Sequence, residues 1–178
     1  VLDSLDHHDV TLVEGTASFV DSQTIAVDGE QFEFDRAVIA TGSSPIEIPG
    51  LEFHQDGVIS SREVLQLEEA PAEVVVVGGG YIGMEAITKF SKFGTEIKLV
   101  EARDRVLCMF EEEVVNSIQE TSEMYSDNIY TSTMAQGVEY EDGKPVLVAE
   151  REGEQLRLSG DYIIVAAGRE SASNLESL

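Results

Sequence analysis

Residues 73–101 constrain this chain's fold more than any other segment. Glu73 leads four consecutive valines, Val74, Val75, Val76 and Val77, and an unbroken β-branched run reads as a strand buried on both faces. Glycine then stands at 78, 79, 80 and 83, and residues 81–93 read as a helix stopped by Gly94. A second apolar run, 96–100, ends in Glu101. Strand, glycine turn, helix and strand within ~30 residues make one βαβ unit.

The glycines fit G-x-G-x-x-G, with Gly79, Tyr81 and Ile82 between them and Met84 and Glu85 just after. Gly78 permits the tight turn and Gly80 lets the backbone approach a pyrophosphate without a Cβ clash. Gly83 lets helix and strand pack closely. The helix start then presents free N–H groups and a positive dipole end to phosphate oxygens. Glu101 follows Gly83 at close to the ~20 residues expected of a dinucleotide site. A carboxylate there accepts hydrogen bonds from ribose hydroxyls and repels a 2′-phosphate, which predicts NAD rather than NADP. Arg103 and Arg105 stand just beyond, placed to soften that exclusion.

Around this unit the pattern is α/β. Runs at 11–20 and 24–27 read as strands, Asp28-Gly29 as a hairpin turn, and 31–34 as an alternating strand. Residues 36–40 form a continuous apolar run, predicting a strand buried on both faces, which ends in Thr41, Gly42 and Ser43. Residues 45–58 read as a connector punctuated by Pro and Gly. Ser60 with Glu63 offers a capping box, and 111–124 reads as a helix with acidic residues in its first turn. Three segments near 138–140, 145–150 and 155–158, with an Asp142-Gly143 turn, predict an antiparallel meander. Residues 162–166 predict another buried strand.

Composition excludes several functions. The 178 residues carry 35 Asp plus Glu against 11 Lys plus Arg, a formal net charge of −24. So acidic a surface repels nucleic acid and anionic lipid, leaving neither as a main partner. The excess is spread along the whole chain, which points to salt adaptation, where screening removes self-repulsion. No apolar stretch approaches the ~18 residues of a membrane span. One cysteine, Cys108, excludes an intrachain disulfide framework and fits a reducing cytoplasm; it reads as a small core or near-core residue rather than a nucleophile. His7, His8 and His54 lack ligands at metal spacing, so no metal site is expected. Glu111, Glu112 and Glu113 are consecutive, and on a helix consecutive side chains do not face each other, which rules out a carboxylate pair. The chain begins at Val1 without Met, and a cut from something longer is expected.

The segments 36–45 (RAVIATGSSP), 74–85 (VVVVGGGYIGME), 99–107 (LVEARDRVL) and 165–169 (VAAGR), in that order and at those spacings, resemble the flavoprotein disulfide reductases, and within them the branch of dihydrolipoamide dehydrogenases. The resemblance implies a Rossmann-like, three-layer ββα NAD-binding domain with a central parallel sheet and a small antiparallel meander, at 67–168. The end of an FAD-domain segment and a connector fill 1–66, and 169–178 begin the return to the FAD domain. It assigns residues 78–85 to the NAD pyrophosphate turn, Glu101 to the adenosine ribose, Met134 to a backbone contact with adenine, and Gly168 to the nicotinamide side. Glu85, one helical turn from Tyr81, falls at the mouth of that site. Thr41, Gly42 and Ser43 fall beside the flavin of FAD. The family's own FAD glycine motif, its C-x-x-x-x-C redox pair, its later acidic flavin ligand and its C-terminal His-Glu base lie outside this sequence. No catalytic residue is therefore expected here, and the chain alone is expected to be inactive, its partner being the remainder of the same enzyme. The resemblance further implies a cytoplasmic homodimer, open to assembly in a 2-oxoacid dehydrogenase complex. Mercuric, bis-thiol and ferredoxin-type flavin reductases share these motifs, and a non-catalytic NAD-binding module would keep the glycines and Glu101. All of these stay open at this point.

Overall fold

A computed structural model describes residues 8, 10–121 and 128–172. The chain divides into two compact units, 1–43 with 171–178, and 44–170.

The smaller unit contains an antiparallel sheet of β1 (Ala17–Asp21), β2 (Thr24–Val27) and β3 (Glu30–Glu33), paired in chain order. Asp28 and Gly29 adopt φ of 49° and 95°, the left-handed pair that a two-residue hairpin matching strand twist requires. Phe19 and Phe34 meet edge to face at 6.1 Å. Only the end of the apolar run at 11–20 becomes strand. The buried strand expected at 36–40 does not form: its residues carry no strand pairing and are exposed, Val38 to 91%. A continuous apolar run specifies a buried strand only where neighbouring strands and covering layers receive it, and no described strand pairs with 36–40.

Beyond β3 the chain runs through β4 (Ser43–Pro45), β5 (Val58–Ser60), α1 (Ser61–Val64), β6 (Glu73–Val77), α2 (Tyr81–Ser91), β7 (Glu96–Val100), α3 (Glu112–Thr121) and β8 (Ile129–Tyr130). It continues through β9 (Thr133–Glu141), β10 (Lys144–Arg151), β11 (Glu154–Ser159), β12 (Tyr162–Val165) and β13 (Arg169–Ser171). The central sheet has the order β5-β12-β6-β7-β8 with every neighbouring pair parallel. β9, β10 and β11 form the expected meander, and β4 pairs with β13. The connector expected at 45–58 thus ends in a strand of the main sheet. The helix expected at 111–124 is present over its described part; residues 122–124, like His7, lie outside the described residues.

The valine run explains the layering. Strand side chains alternate between faces. Val74 and Val76 join Met84, Ile87 and Phe90 of α2 and Val115 of α3 in one core. Val75 and Val77 join Leu147, Ala149 and Leu158 of the meander in the other. Ile164 against Ile163 and Val165 repeats this division on β12. The result is the ββα three-layer fold that the sequence predicts.

Two polar devices fix the edges. Ser60 caps α1, its hydroxyl accepting from Arg62 N at 3.1 Å, while the Glu63 carboxylate accepts from Ser60 N at 2.9 Å and from the Ser60 hydroxyl. This is the capping box read from sequence. The second device is Asp161, whose carboxylate accepts from Ala72 N at 2.9 Å, Glu73 N at 3.0 Å and Lys144 Nζ at 2.8 Å. It thereby ties the start of β6 to the meander. The Lys144 ammonium foremost, then the two amides, hold the Asp161 carboxyl below its ordinary 3.8 against the opposing effect of partial burial. A depressed carboxyl stabilises the fold at pH above its unfolded value and loses that contribution as pH falls through the folded value. Asp161→Asn should therefore cost about 1–2 kcal/mol at pH 7. In urea unfolding the gap to the unsubstituted chain should narrow progressively as pH falls below about 4; a gap that stays the same size on acidification contradicts this role.

Candidate functional site

The glycine turn lies where β6 ends and α2 begins, at the carboxyl edge of the parallel sheet, where open α/β sheets carry their ligand crevices. Each glycine answers to a different neighbour. A Cβ on Gly83 would stand 2.0 Å from Gly78 O, so α2 lies almost against the turn. Gly78 has φ 109°, and a Cβ there would meet Ala166 O at 2.5 Å. A Cβ on Gly79 would press on Val106 and on the Glu101 carboxylate. Gly80 differs, for a Cβ there would meet nothing within 4 Å and its φ is an ordinary −77°. It is the N-cap of α2 and no side chain caps the helix. The protein itself makes no demand for glycine at 80, and the space beside it lies at the helix start, where backbone N–H groups favour an anion.

Glu101 does more than the sequence indicated. Its Oε2 accepts from Gly79 N at 2.6 Å and its Oε1 from Arg103 N at 2.8 Å. The carboxylate at the end of β7 thus pins the turn at the end of β6, with acceptor capacity remaining on both oxygens. The following segment folds back over the turn: Leu107 N donates to Gly79 O at 2.7 Å, with Leu107 at φ 51°. Arg105 holds this segment together from inside, donating to the carbonyls of Cys108 at 3.3 Å and Phe110 at 3.2 Å.

These elements enclose a cleft of about 290 Å³. It gathers Gly78, Gly80, Tyr81 and Ile82 with Glu101, Met134 and Gly168. Met134 is exposed on β9 beside Thr133, whose N–H donates to Glu101 O at 3.0 Å. Gly168, at φ 124°, accepts from Ile46 N at 3.1 Å. Other expected residues do not line it. Gly79 lies behind the turn, and Gly83 and Met84 are buried, Met84 within the helix-side core. Glu85 is exposed on α2 outside the cleft lining. Thr41, Gly42 and Ser43 are exposed, and none lines this cleft. Cys108 is half-buried in the cleft wall, not in either core, with Arg103 Nη1 donating to its sulfur at 3.2 Å. Sequence reading missed Met109, Phe110 and Thr133; the only signal for them was their closeness in the chain to Glu101 and Met134. Among the described residues no cluster of His, Cys, Asp and Glu suits a metal ion.

A parallel sheet, a glycine turn at its carboxyl edge and a carboxylate closing the next strand are the features of a Rossmann-type fold. The sequence matches the pyridine nucleotide-disulphide oxidoreductase family over residues 2–178, and the chain belongs to that family. The dihydrolipoyl dehydrogenase of Halobacterium salinarum is 34% identical over 177 residues, covering 95% of this chain and 37% of that protein. That of Staphylococcus aureus is 38% identical over 164 residues, covering 90% and 35%. The chain thus spans little more than a third of the curated relatives it matches. Among solved structures, LpdA from Mycobacterium tuberculosis superposes with a TM-score of 0.77 at 20% identity, over 94% of this chain and 38% of that one. The flavoprotein disulfide reductase RclA from Escherichia coli gives 0.75 at 22%, over 95% and 38%. At these identities the likeness is one of fold.

The glycine geometry separates packing from ligand space. Gly83→Ala should cost about 3 kcal/mol or more, because the Gly78 carbonyl cannot retreat. Gly80→Ala should cost less than about 1 kcal/mol, the loss of a good N-cap residue. Denaturant unfolding of both variants checks this, and equal losses contradict it.

Proposed function

We propose that this chain is the NAD-binding portion of a flavin-dependent dithiol:NAD oxidoreductase of the dihydrolipoyl dehydrogenase kind. The observation that carries the reading is the junction of Gly80's open space at the start of α2 with the Glu101 carboxylate at the end of β7, in one cleft. The backbone N–H groups at the helix start would receive the diphosphate. Glu101, oriented by Gly79 and Arg103, would accept from the adenosine ribose, with Met134 at the adenine edge and Gly168 and Tyr81 toward the nicotinamide. Glu85 would stand at the outer mouth, and Thr41, Gly42 and Ser43 would lie beside FAD in the whole enzyme. When bound, nicotinamide and flavin supply the redox chemistry; this chain's residues bind and orient the dinucleotide.

The 178 residues contain a single cysteine, so they supply no dithiol–disulfide pair, and we expect them to be inactive alone. For the whole protein the reading extends to a cytoplasmic homodimer open to assembly in a 2-oxoacid dehydrogenase complex, as the motif resemblance implies. Among the described residues no helix is long and apolar enough to cross a membrane. A ferredoxin reductase from Rhodopseudomonas palustris also superposes at a TM-score of 0.75 with 19% identity, which keeps a different electron partner as the second reading. The net charge of −24 and the likeness to a halophilic relative support salt adaptation.

Titration calorimetry tests the binding claim. The chain should bind NADH saturably, and Gly80→Ala should weaken NADH binding about tenfold or more while leaving the unfolding midpoint close to the original. Glu101→Ala should weaken NADH and raise the NADPH-to-NADH affinity ratio. Binding undiminished in Gly80→Ala removes the helix start from the site, and an unchanged ratio removes Glu101 from the ribose role. Dihydrolipoamide oxidation by the chain alone would overturn its proposed inactivity. Separately, the melting temperature should rise between about 0.1 and about 1 M NaCl as the screening length falls from ~10 to ~3 Å; a flat or falling value contradicts salt adaptation.

A further inference from the structure

We propose that Ile48 is a further binding residue of this cleft, a wall against the nicotinamide half of a dinucleotide by which the cleft tells a whole dinucleotide from its ADP half. The inference rests on the dinucleotide reading above and deepens it. Ile48 belongs to the stretch punctuated by Pro49, Gly50 and Gly57, which the sequence marks as a connector. In the structure that stretch is a shelf of fixed shape.

Contacts on both sides hold the shelf. Leu51 is fully buried in the meander-side core, and Leu51 N donates to Ile48 O at 2.8 Å. Gly50 has φ 84°, and a Cβ there would stand 2.7 Å from Gln136 O of β9, so the turn lies directly on the meander. Gly50 N donates to Glu52 Oε1 at 3.0 Å, and Phe53 N donates to Glu47 Oε1 at 2.8 Å across the turn. On the other side Ile46 N donates to Gly168 O at 3.1 Å. The shelf therefore runs from the turn after β12 to β9, and Ile48 stands within that span. Ile48 is half-buried, packs against the meander-side core and also lines the cleft. A β-branched side chain is stiff about χ1, so on this fixed backbone it makes a preset apolar wall.

The wall's place along the sheet edge assigns its ligand. β12, β6 and β7 are neighbours in that order. Gly168 follows β12, the glycine turn follows β6, and Glu101 follows β7. A dinucleotide with its adenosine ribose at Glu101 and its diphosphate at the start of α2 extends its second half toward β12, the side to which Ile46 ties the shelf. The charged residues of the cleft lining, Glu101 and Arg103, both stand at the β7 end. At the β12 end the lining residues are Ala166, Ala167 and Gly168, too small to close on a ring by themselves, and Ile48 supplies the bulk. A reduced nicotinamide is an uncharged planar ring, and covering its face with Ile48 removes apolar surface of both from water. ADP lacks this half and gains nothing from Ile48.

The test is a calorimetric titration of NADH and of ADP into the 178-residue chain, Ile48→Ala and Ile48→Val, with denaturant unfolding of each. Ile48→Ala should weaken NADH about fivefold, as expected for part of a side chain's apolar contact, and leave ADP affinity unchanged. Ile48→Val keeps the branch and loses one methyl; it should weaken NADH about twofold, and it decides the matter if the alanine variant does not fold. The NADH-to-ADP affinity ratio is a readout that a loss of fold stability alone would not move. NADH affinity unchanged in the folded variants, or NADH and ADP weakened equally, overturns the role of Ile48 and leaves the dinucleotide reading intact. An unsubstituted chain that binds neither nucleotide overturns both.

Discussion

The larger unit depends on one close approach, that of the Gly83 backbone to the Gly78 carbonyl, where an added Cβ would stand 2.0 Å away. No other residue allows α2 to leave β6 at that distance. Because it does, Met84, Ile87 and Phe90 drop onto Val74 and Val76, and the uncapped helix start opens at the sheet's carboxyl edge rather than into the core. The same contact therefore specifies the helix-side packing and the empty space beside Gly80. Glu101 and Leu107 then hold the turn from the other side through the N–H and C=O of Gly79. Rigid support of this kind is what a binding site on a parallel sheet requires.

Most of the architecture was legible because its signals are local. Four valines in a row, a glycine hexad and two left-handed hairpin pairs at Asp28-Gly29 and Asp142-Gly143 need no tertiary information. The capping box at Ser60 and Glu63 is likewise written within four residues. What was not legible depends on distant partners. Residues 36–40 carry the apolar pattern of a buried strand but pair with no described strand, so pattern alone misled. Val58–Ser60 is a three-residue strand between Gly57 and a capping box, too short for periodicity to register, yet it forms the edge of the central sheet.

At the site, the division is similar. The glycine spacing and the distance to Glu101 identified the turn and the carboxylate. The Gly79–Glu101 hydrogen bond spans 22 residues, and the Arg103–Cys108 contact depends on a loop whose path no motif encodes. Cys108 was expected in or near the core; its place in the cleft wall follows from Leu107, whose left-handed backbone and bond to Gly79 turn the segment back. A net charge of −24 disfavours polyanionic partners globally, while the free backbone N–H groups at the start of α2 form a local electropositive point.

The central claim, that a dinucleotide lies across the start of α2 with its ribose at Glu101, is tested most directly by following backbone amide NMR signals as NADH is added. The account predicts saturable shifts at Gly79, Gly80, Tyr81, Glu101, Arg103 and Met134, with the meander residues Val146, Leu147 and Val148 unmoved. Absence of saturable shifts, or shifts centred on the meander and sparing the glycine turn, would contradict it.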